Sequence, residues 1–190
     1  PMDIKAKINA SIAVKTAILN DDTFINNIEK SCEICVTALR QGGKVWLCGN
    51  GGSAADAQHL AAELSGRFYK DRKPLPAEAL HVNTSFLTAV ANDYGYDQTY
   101  ARMVRGCAQP GDVLIAISTS GNSANILNAI GEAKLLGMPV VGMTGATGGR
   151  MAHLCTLLLN VPSDDTPRIQ EAHILIGHIL CEKIEATLFP

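Results

Sequence analysis

The chain opens on helical spacing. Ile4, Ile8, Ile12 and Ala13, then Ile18 and Leu19, recur every three or four positions and predict a first helix. Asn20-Asp21-Asp22-Thr23 supplies a break and a cap. A second helix is predicted where Phe24, Ile25, Ile28, Ile34, Cys35, Ala38 and Leu39 fall, ending at Gly42-Gly43. Residues 1–42 therefore read as a helical extension that packs on the rest of the domain or on a partner subunit.

From Lys44 the pattern changes to short apolar runs alternating with helical segments. The runs are Val45–Cys48, Ala79–Val82, Val113–Ile117, Val140–Met143 and Leu157–Val161. The first, third and fifth lack period-2 alternation, which predicts strands covered on both faces. Helical patterns fall at about Ser53–Phe68, Ser85–Asn92 with Gln98–Cys107, Ser123–Leu136 and Gly149–His153, and a long last helix at about Arg168–Thr187. Strands alternating with helices predict α/β architecture: a flavodoxin-like three-layer sandwich around a five-stranded parallel sheet. No repeat or linker divides the chain, so residues 1–190 read as one domain. In such sheets ligands bind beyond the carboxyl ends of the strands. The loops after Cys48, Val82, Ile117 and Met143 are therefore the places to look for chemistry.

Composition narrows the partners. At 190 residues, 47% hydrophobic, with net charge -2, the chain is neither disordered nor basic enough for a nucleic-acid footprint. No apolar run reaches the ~18 residues of a membrane span, and no signal layout opens the chain. A cytoplasmic protein without membrane or nucleic-acid partners is expected. Charge is sparse, 18% against a typical ~25%, which points to surface buried between subunits. The six cysteines, Cys32-x-x-Cys35 included, read as free buried thiols rather than staples or metal ligands.

Two loops carry candidate chemistry. Gly49-Asn50-Gly51-Gly52-Ser53 joins the first strand to a helix, where free N–H groups attract anions; a plain tight turn explains it equally well. Gly49-x-Gly51-x-x-Ala54 also fits a dinucleotide fingerprint, but the next strand ends at Val82-Asn83 without the carboxylate that a ribose requires. Ser118-Thr119-Ser120-Gly121-Asn122-Ser123 gathers four hydroxyls at a second helix start, an inventory suited to a phosphate monoester. His59 and Glu63 share one helix face; a satisfied polar pair is the plain alternative. Gln170, His173 and His178 lie in the apolar last helix, where a structural histidine is the ordinary reading.

These two loops are similar to the sugar-phosphate loops of the sugar isomerase (SIS) domain family. Ala57-Gln58-His59-Leu60-Ala61-Ala62-Glu63-Leu64-Ser65-Gly66-Arg67, Asn92-Asp93-Tyr94-Gly95 and Arg168-Ile169-Gln170-Glu171-x-His173 resemble motifs of its bacterial phosphoheptose isomerases. The resemblance runs from about Ile4 to the end. It implies a homotetramer with sites near subunit interfaces, and an aldose–ketose isomerase of heptose 7-phosphates serving lipopolysaccharide precursors. It implies one zinc ion per subunit on His59, Glu63, Gln170 and His178. Glu63 would be the base and His178 the acid. Ser118, Thr119, Ser120 and Ser123 would hold the phosphate. Asn50, Gly51, Gly52, Ser53, Glu63, Asn92, Asp93 and Gln170 would contact the sugar. Gln170 and His178 are roughly 12 Å apart along a straight helix, so one ion reaches both only if the helix start is frayed or if chains share the site. Arg67 is a candidate supporting charge or a surface ion pair, and His173 a supporting or packing residue.

One relative of these isomerases is a tetramer that binds the bacterial replication initiator. Thr187-Leu188-Phe189-Pro190 and Ser53-Ala54-Ala55 resemble it, whereas Glu63 and His178 resemble the isomerases.

Overall fold

The computed structural model describes residues 2–190. Seven α-helices surround five strands: α1 Ile4–Leu19, α2 Asp22–Arg40, β1 Val45–Cys48, α3 Gly52–Ser65, β2 Ala77–Ala79, α4 Thr84–Tyr94, α5 Thr99–Cys107, β3 Val113–Ile117, α6 Ala124–Leu135, β4 Val140–Thr144, β5 Leu157–Asn160 and α7 Thr166–Leu188. Single 3-10 turns lie at Tyr96–Gln98 and Gly149–His153. The sheet is parallel throughout, in the order β2-β1-β3-β4-β5.

The alternation of side chains across the pleat builds two cores. Val45, Leu47, Ile115, Ile117 and Met143 face α2, α3 and α7; Trp46, Cys48, Leu114, Ala116 and Val140 face α5 and α6. Both faces of β1, β3 and β4 are fully buried, which is why these strands read as unbroken apolar runs. The three-layer sandwich and five-stranded parallel sheet are as expected. None of the helices is long and apolar enough to cross a membrane among the described residues.

Several expectations need correction. β5 is an edge strand: Leu157 and Leu158 are half-buried and Asn160 is exposed, so its apolar run does not signal cover on both faces. β2 is shorter and earlier than Ala79–Val82, because the chain turns after Ala79, where the Val82 N–H closes on the Ala79 carbonyl at 3.4 Å and Val82 swings outward. α3 stops at Ser65, before Phe68, because the Arg72 guanidinium takes its last carbonyls. α7 begins at Thr166, with Pro167 in its first turn, where no N–H is required. Cys107 is exposed and Cys155 half-buried; the other four thiols are buried, and all six are free. Burial pushes Cys32 up to about 11 and Cys35 up to about 12, consistent with inert thiols.

The two N-terminal helices behave differently. α2 buries Phe24, Ile28, Cys32, Cys35 and Val36 against α7 and the sheet. α1 buries only Ile18, and leaves Ile4 66%, Ile8 55% and Ile12 54% exposed. Ile4, Ile8 and Ile12 are not covered by this chain.

Candidate active site

The helix starts are capped unequally. Asp3, Asp21 and Asn83 side chains cap α1, α2 and α4. α3, α6 and α7, which all start at the carboxyl ends of strands, have no side-chain cap. In α3 the carbonyls of Asn50 and Gly51 already take the Ser53 and Ala54 N–H groups, and in α6 Asn125 Oδ1 takes that of Ile126, so a ligand would meet the N–H groups that precede these.

The glycine loop turns tightly. Gly49 has no room for a Cβ, which would lie 2.5 Å from the Ser53 carbonyl oxygen. Gly51 takes φ +54, and Ser53 N–H closes on the Asn50 carbonyl at 2.9 Å. Gly51 and Gly52 are exposed, whereas Ser53 is buried at the helix start.

The serine loop is braced from beneath. Gly121 takes φ +67, and a Cβ there would lie 2.1 Å from the Gly148 carbonyl oxygen. Ser118 Oγ lies 3.1 Å from Ser123 Oγ and 3.5 Å from Ser120 Oγ, and it accepts the Gly121 N–H at 3.2 Å. Three expected phosphate hydroxyls thus converge. Thr119 and Ser120 line a cleft of about 320 Å³ with Gly145, Ala146, Thr147, Ser163, Asp164, Thr166 and Ile169. A larger groove of about 770 Å³ lies at the opposite end of the sheet, between α2 and the loops before β3, β4 and β5; it contains none of the candidate residues.

α3 and α7 run side by side in the same direction. A Cβ on Gly52 would meet the Gln170 amide at 3.1 Å, and one on Gly177 would meet Leu60 at 2.4 Å. That close approach brings His59 Nε2 within 2.9 Å of His178 Nε2, and Glu63 Oε1 lies 3.9 Å from the same His59 atom. The His59 and Glu63 face is open, not a packed polar pair, with side chains 49% and 25% exposed. Gln170 lies within α7, not at a frayed start, and about 12 Å along it from His178. The four expected zinc ligands of one chain therefore do not close on one point, and no group of three or more His, Cys, Asp or Glu is set to hold a metal among the described residues.

Asn92 and Asp93 sit exposed at the end of α4, where Asn92 Nδ2 donates to Asp93 Oδ1 at 2.9 Å. Neither side chain hydrogen-bonds to a candidate loop among the described residues. Arg67 is exposed and forms no ion pair among the described residues. His173 is buried, and its Nε2 meets the Thr144 carbonyl at 3.0 Å. That contact ties α7 to the end of β4, next to Gly145, whose N–H donates to the Thr119 carbonyl at 2.9 Å.

Four contributors escaped the sequence reading. Asp56, one turn before His59, is half-buried; burial pushes its carboxyl up, and His59 and His178 pull partly back. Asp164 faces the cleft by the serine loop. Arg72 and Glu185 form an ion pair at 2.9 Å, with side chains 3% and 2% exposed. Glu185 also accepts the N–H groups of Phe68, Tyr69 and Lys70, while Arg72 donates to the carbonyls of Glu63 and Leu64. This pair pins the end of α3, just past Glu63, to α7. The available signal was a lone glutamate on the apolar side of the last helix, facing a long irregular segment.

Comparison with known proteins agrees with this layout. Residues 10–145 match the SIS domain family. A phosphoheptose isomerase of Rhodospirillum rubrum is 57% identical over 85% of this chain and 86% of its own. One from Sulfurimonas denitrificans is 52% identical over 98% and 95%. The solved phosphoheptose isomerase of Neisseria gonorrhoeae superimposes with a TM-score of 0.90 at 42% identity, covering 96% of this chain and 97% of that one.

Proposed function

The chain belongs to the SIS domain family and to its phosphoheptose isomerases, and from that premise we propose that it converts sedoheptulose 7-phosphate to D-glycero-D-manno-heptose 7-phosphate. The observation that carries this reading is the meeting of His59 with His178 and with Glu63 midway along a helix pair whose start opens beside the serine loop. His59 lies about 10 Å along α3 from Gly52, at 1.5 Å per residue. An extended ligand held by its phosphate at the serine loop would present its far end to the two histidines.

The reaction moves one proton between neighbouring carbons. Glu63 takes the C1 proton of the ketose and returns it to C2, through a cis-enediol. His178 moves the proton between the two oxygens and assists ring opening. Ser118, Thr119, Ser120 and Ser123, with the bare N–H groups of α6, hold the phosphate without a positive side chain. The glycine loop, Asn92, Asp93 and Gln170 contact the hydroxyls.

The donor set suits zinc in kind, two imidazoles and a carboxylate; for Glu63 to serve also as base, its hold on the ion would be loose or the ion would arrive with substrate. His59 and His178 already meet, Nε2 to Nε2 at 2.9 Å, with Glu63 beside His59, so these three would hold the ion. Gln170, about 12 Å along α7 from His178, would join them only if subunits share the site. When bound, zinc would supply Lewis-acid polarisation of the carbonyl and charge stabilisation at the oxygens. A chelator should lower turnover and added zinc restore it; unchanged rates in verified metal-free protein would exclude a role for the metal.

A homotetramer with sites near subunit interfaces accompanies this proposal. The uncovered Ile4, Ile8 and Ile12 of α1 support it, as do exposed Leu175 and Ile179 beside His178. Six free thiols agree with a cytoplasmic enzyme supplying heptose for lipopolysaccharide. The replication-initiator scaffold is the weaker alternative, since close relatives carry the isomerase name. The test is NMR of purified protein with sedoheptulose 7-phosphate. Appearance of the aldoheptose phosphate supports the proposal; no turnover, with binding to the initiator, would replace it.

A further inference from the structure

A polar network joins the glycine loop to the start of α6, and two of its members, Asn125 and Tyr96, have no part in the reaction scheme. Asn50 and Asn125 exchange two hydrogen bonds, each 2.8 Å long. The backbone N–H of Ile126 meets Asn125 Oδ1 at 3.0 Å. A backbone N–H can only donate, so this contact fixes which way the Asn125 amide points. Asn125 Nδ2 must then donate to Asn50 Oδ1, and Asn50 Nδ2 must donate back. The Tyr96 hydroxyl donates to the same Asn50 Oδ1 at 3.1 Å.

The consequence is an accounting one. A carbonyl oxygen has two lone pairs, and both on Asn50 Oδ1 are engaged. One of its two amide N–H bonds is spent on Asn125. The only polar valence left on the Asn50 side chain is a single N–H. Asn125 cannot turn to change this, because it is 2% exposed and its own oxygen already holds two donors. The segment carrying Tyr96 is itself anchored: Thr99 Oγ1 donates to the Tyr96 carbonyl at 2.7 Å, and Asn128 Nδ2 donates to the Asp97 carbonyl at 3.0 Å.

We infer that Asn125 and Tyr96 are positioning residues that lock Asn50 as a donor-only contact. Asn50 then selects an acceptor oxygen, a hydroxyl or carbonyl of the sugar chain, while the phosphate is held separately by the serine loop. This inference rests on the sugar-phosphate reading above. It distinguishes two grips on one ligand, and they respond differently to mutation.

The test uses Tyr96→Phe, at an exposed position where folding is not at stake, and Asn125→Asp, which still accepts from Ile126 but cannot donate to Asn50. Steady-state turnover of sedoheptulose 7-phosphate is measured together with inhibition by inorganic phosphate. Tyr96→Phe should raise KM about threefold to tenfold, the worth of roughly one neutral hydrogen bond, with kcat little changed. Asn125→Asp should raise KM further. The inhibition constant of inorganic phosphate should not move in either. An unmoved KM in both variants, with the wild type active, would overturn this inference alone. So would KM and phosphate inhibition weakening in parallel, since that marks general loosening of the crevice. A wild type that neither binds nor turns over a sugar phosphate would overturn both readings.

Discussion

Replacing Glu185 by Gln removes a charge and almost no volume, at the point where α3, the segment after it and α7 are tied together. Four donors converge on the carboxylate: the N–H groups of Phe68, Tyr69 and Lys70, and Arg72 Nε, at 2.9 to 3.1 Å. They divide evenly, two on each oxygen. In a glutamine one oxygen becomes an NH2, so two donors meet a donor and the Arg72 guanidinium loses its counter-charge. Breaking a buried ion pair by altering one partner costs about 3–5 kcal/mol. For a chain of this size 1 kcal/mol shifts Tm by about 2–4 °C, so the variant should melt roughly 6–20 °C lower at pH 7. Thermal unfolding by circular dichroism, at one fixed protein concentration, measures this. The pH dependence gives a second check. Burial raises the Glu185 carboxyl, but the three N–H groups and Arg72 outweigh it and hold the carboxyl below its ordinary range. A carboxyl lowered in the folded state stabilises above its unfolded value of about 4.3 and loses that contribution as pH falls further. The gap between wild type and Glu185→Gln should therefore be complete at pH 7 and shrink below about pH 4. A variant melting within about 2 °C of wild type at pH 7 would refute the clamp.

Two other predictions concern the phosphate loop and the last helix. Ser120→Ala should raise KM roughly tenfold, the worth of one hydrogen bond to a charged group, with little change in kcat; a fall in kcat at constant KM would contradict a phosphate role. Burial lowers His173 to about 4 from 6.5, the contact with the Thr144 carbonyl offsetting this only in part. The folded state thus resists the proton that the unfolded chain takes up, and stability should fall between pH 6.5 and 4, by roughly 2 kcal/mol at pH 5. His173→Gln keeps a donor for the Thr144 carbonyl and should abolish that slope in urea titrations; an unchanged slope would contradict the assignment.

The fold was legible because its strands are buried on both faces and carry no polar interruptions between Val45 and Cys48 or Val113 and Ile117. The edges were less so. Leu157 and Leu158 look like core residues in the sequence, yet half of each faces outward, because an edge strand has a neighbour on one side only. The serine loop was legible in its density of hydroxyls. The joining of His59 to His178 was legible only through the family resemblance and not from spacing, since it depends on Gly177 letting Leu60 approach α7 closely, and one glycine in a long helix does not announce a neighbour. Gln170 shows the limit of carrying residues over by motif: the residue type is legible along the sequence, whereas its offset of about 12 Å from His178 follows from the straight course of α7. Arg72 and Glu185 were invisible for a related reason. Their partners are mostly backbone groups, and backbone groups leave no mark in the sequence.

The central claim is that Glu63 carries a proton between two carbons of a ketose phosphate. Incubating wild type and Glu63→Gln with sedoheptulose 7-phosphate in deuterated water, and following the product by NMR, tests it most directly. The account predicts that wild type forms aldoheptose phosphate, with deuterium at C2 in those turnovers where protonated Glu63 exchanges with solvent before it returns its proton, and that Glu63→Gln binds the sugar phosphate but forms none. Product from Glu63→Gln at a rate near wild type would contradict it.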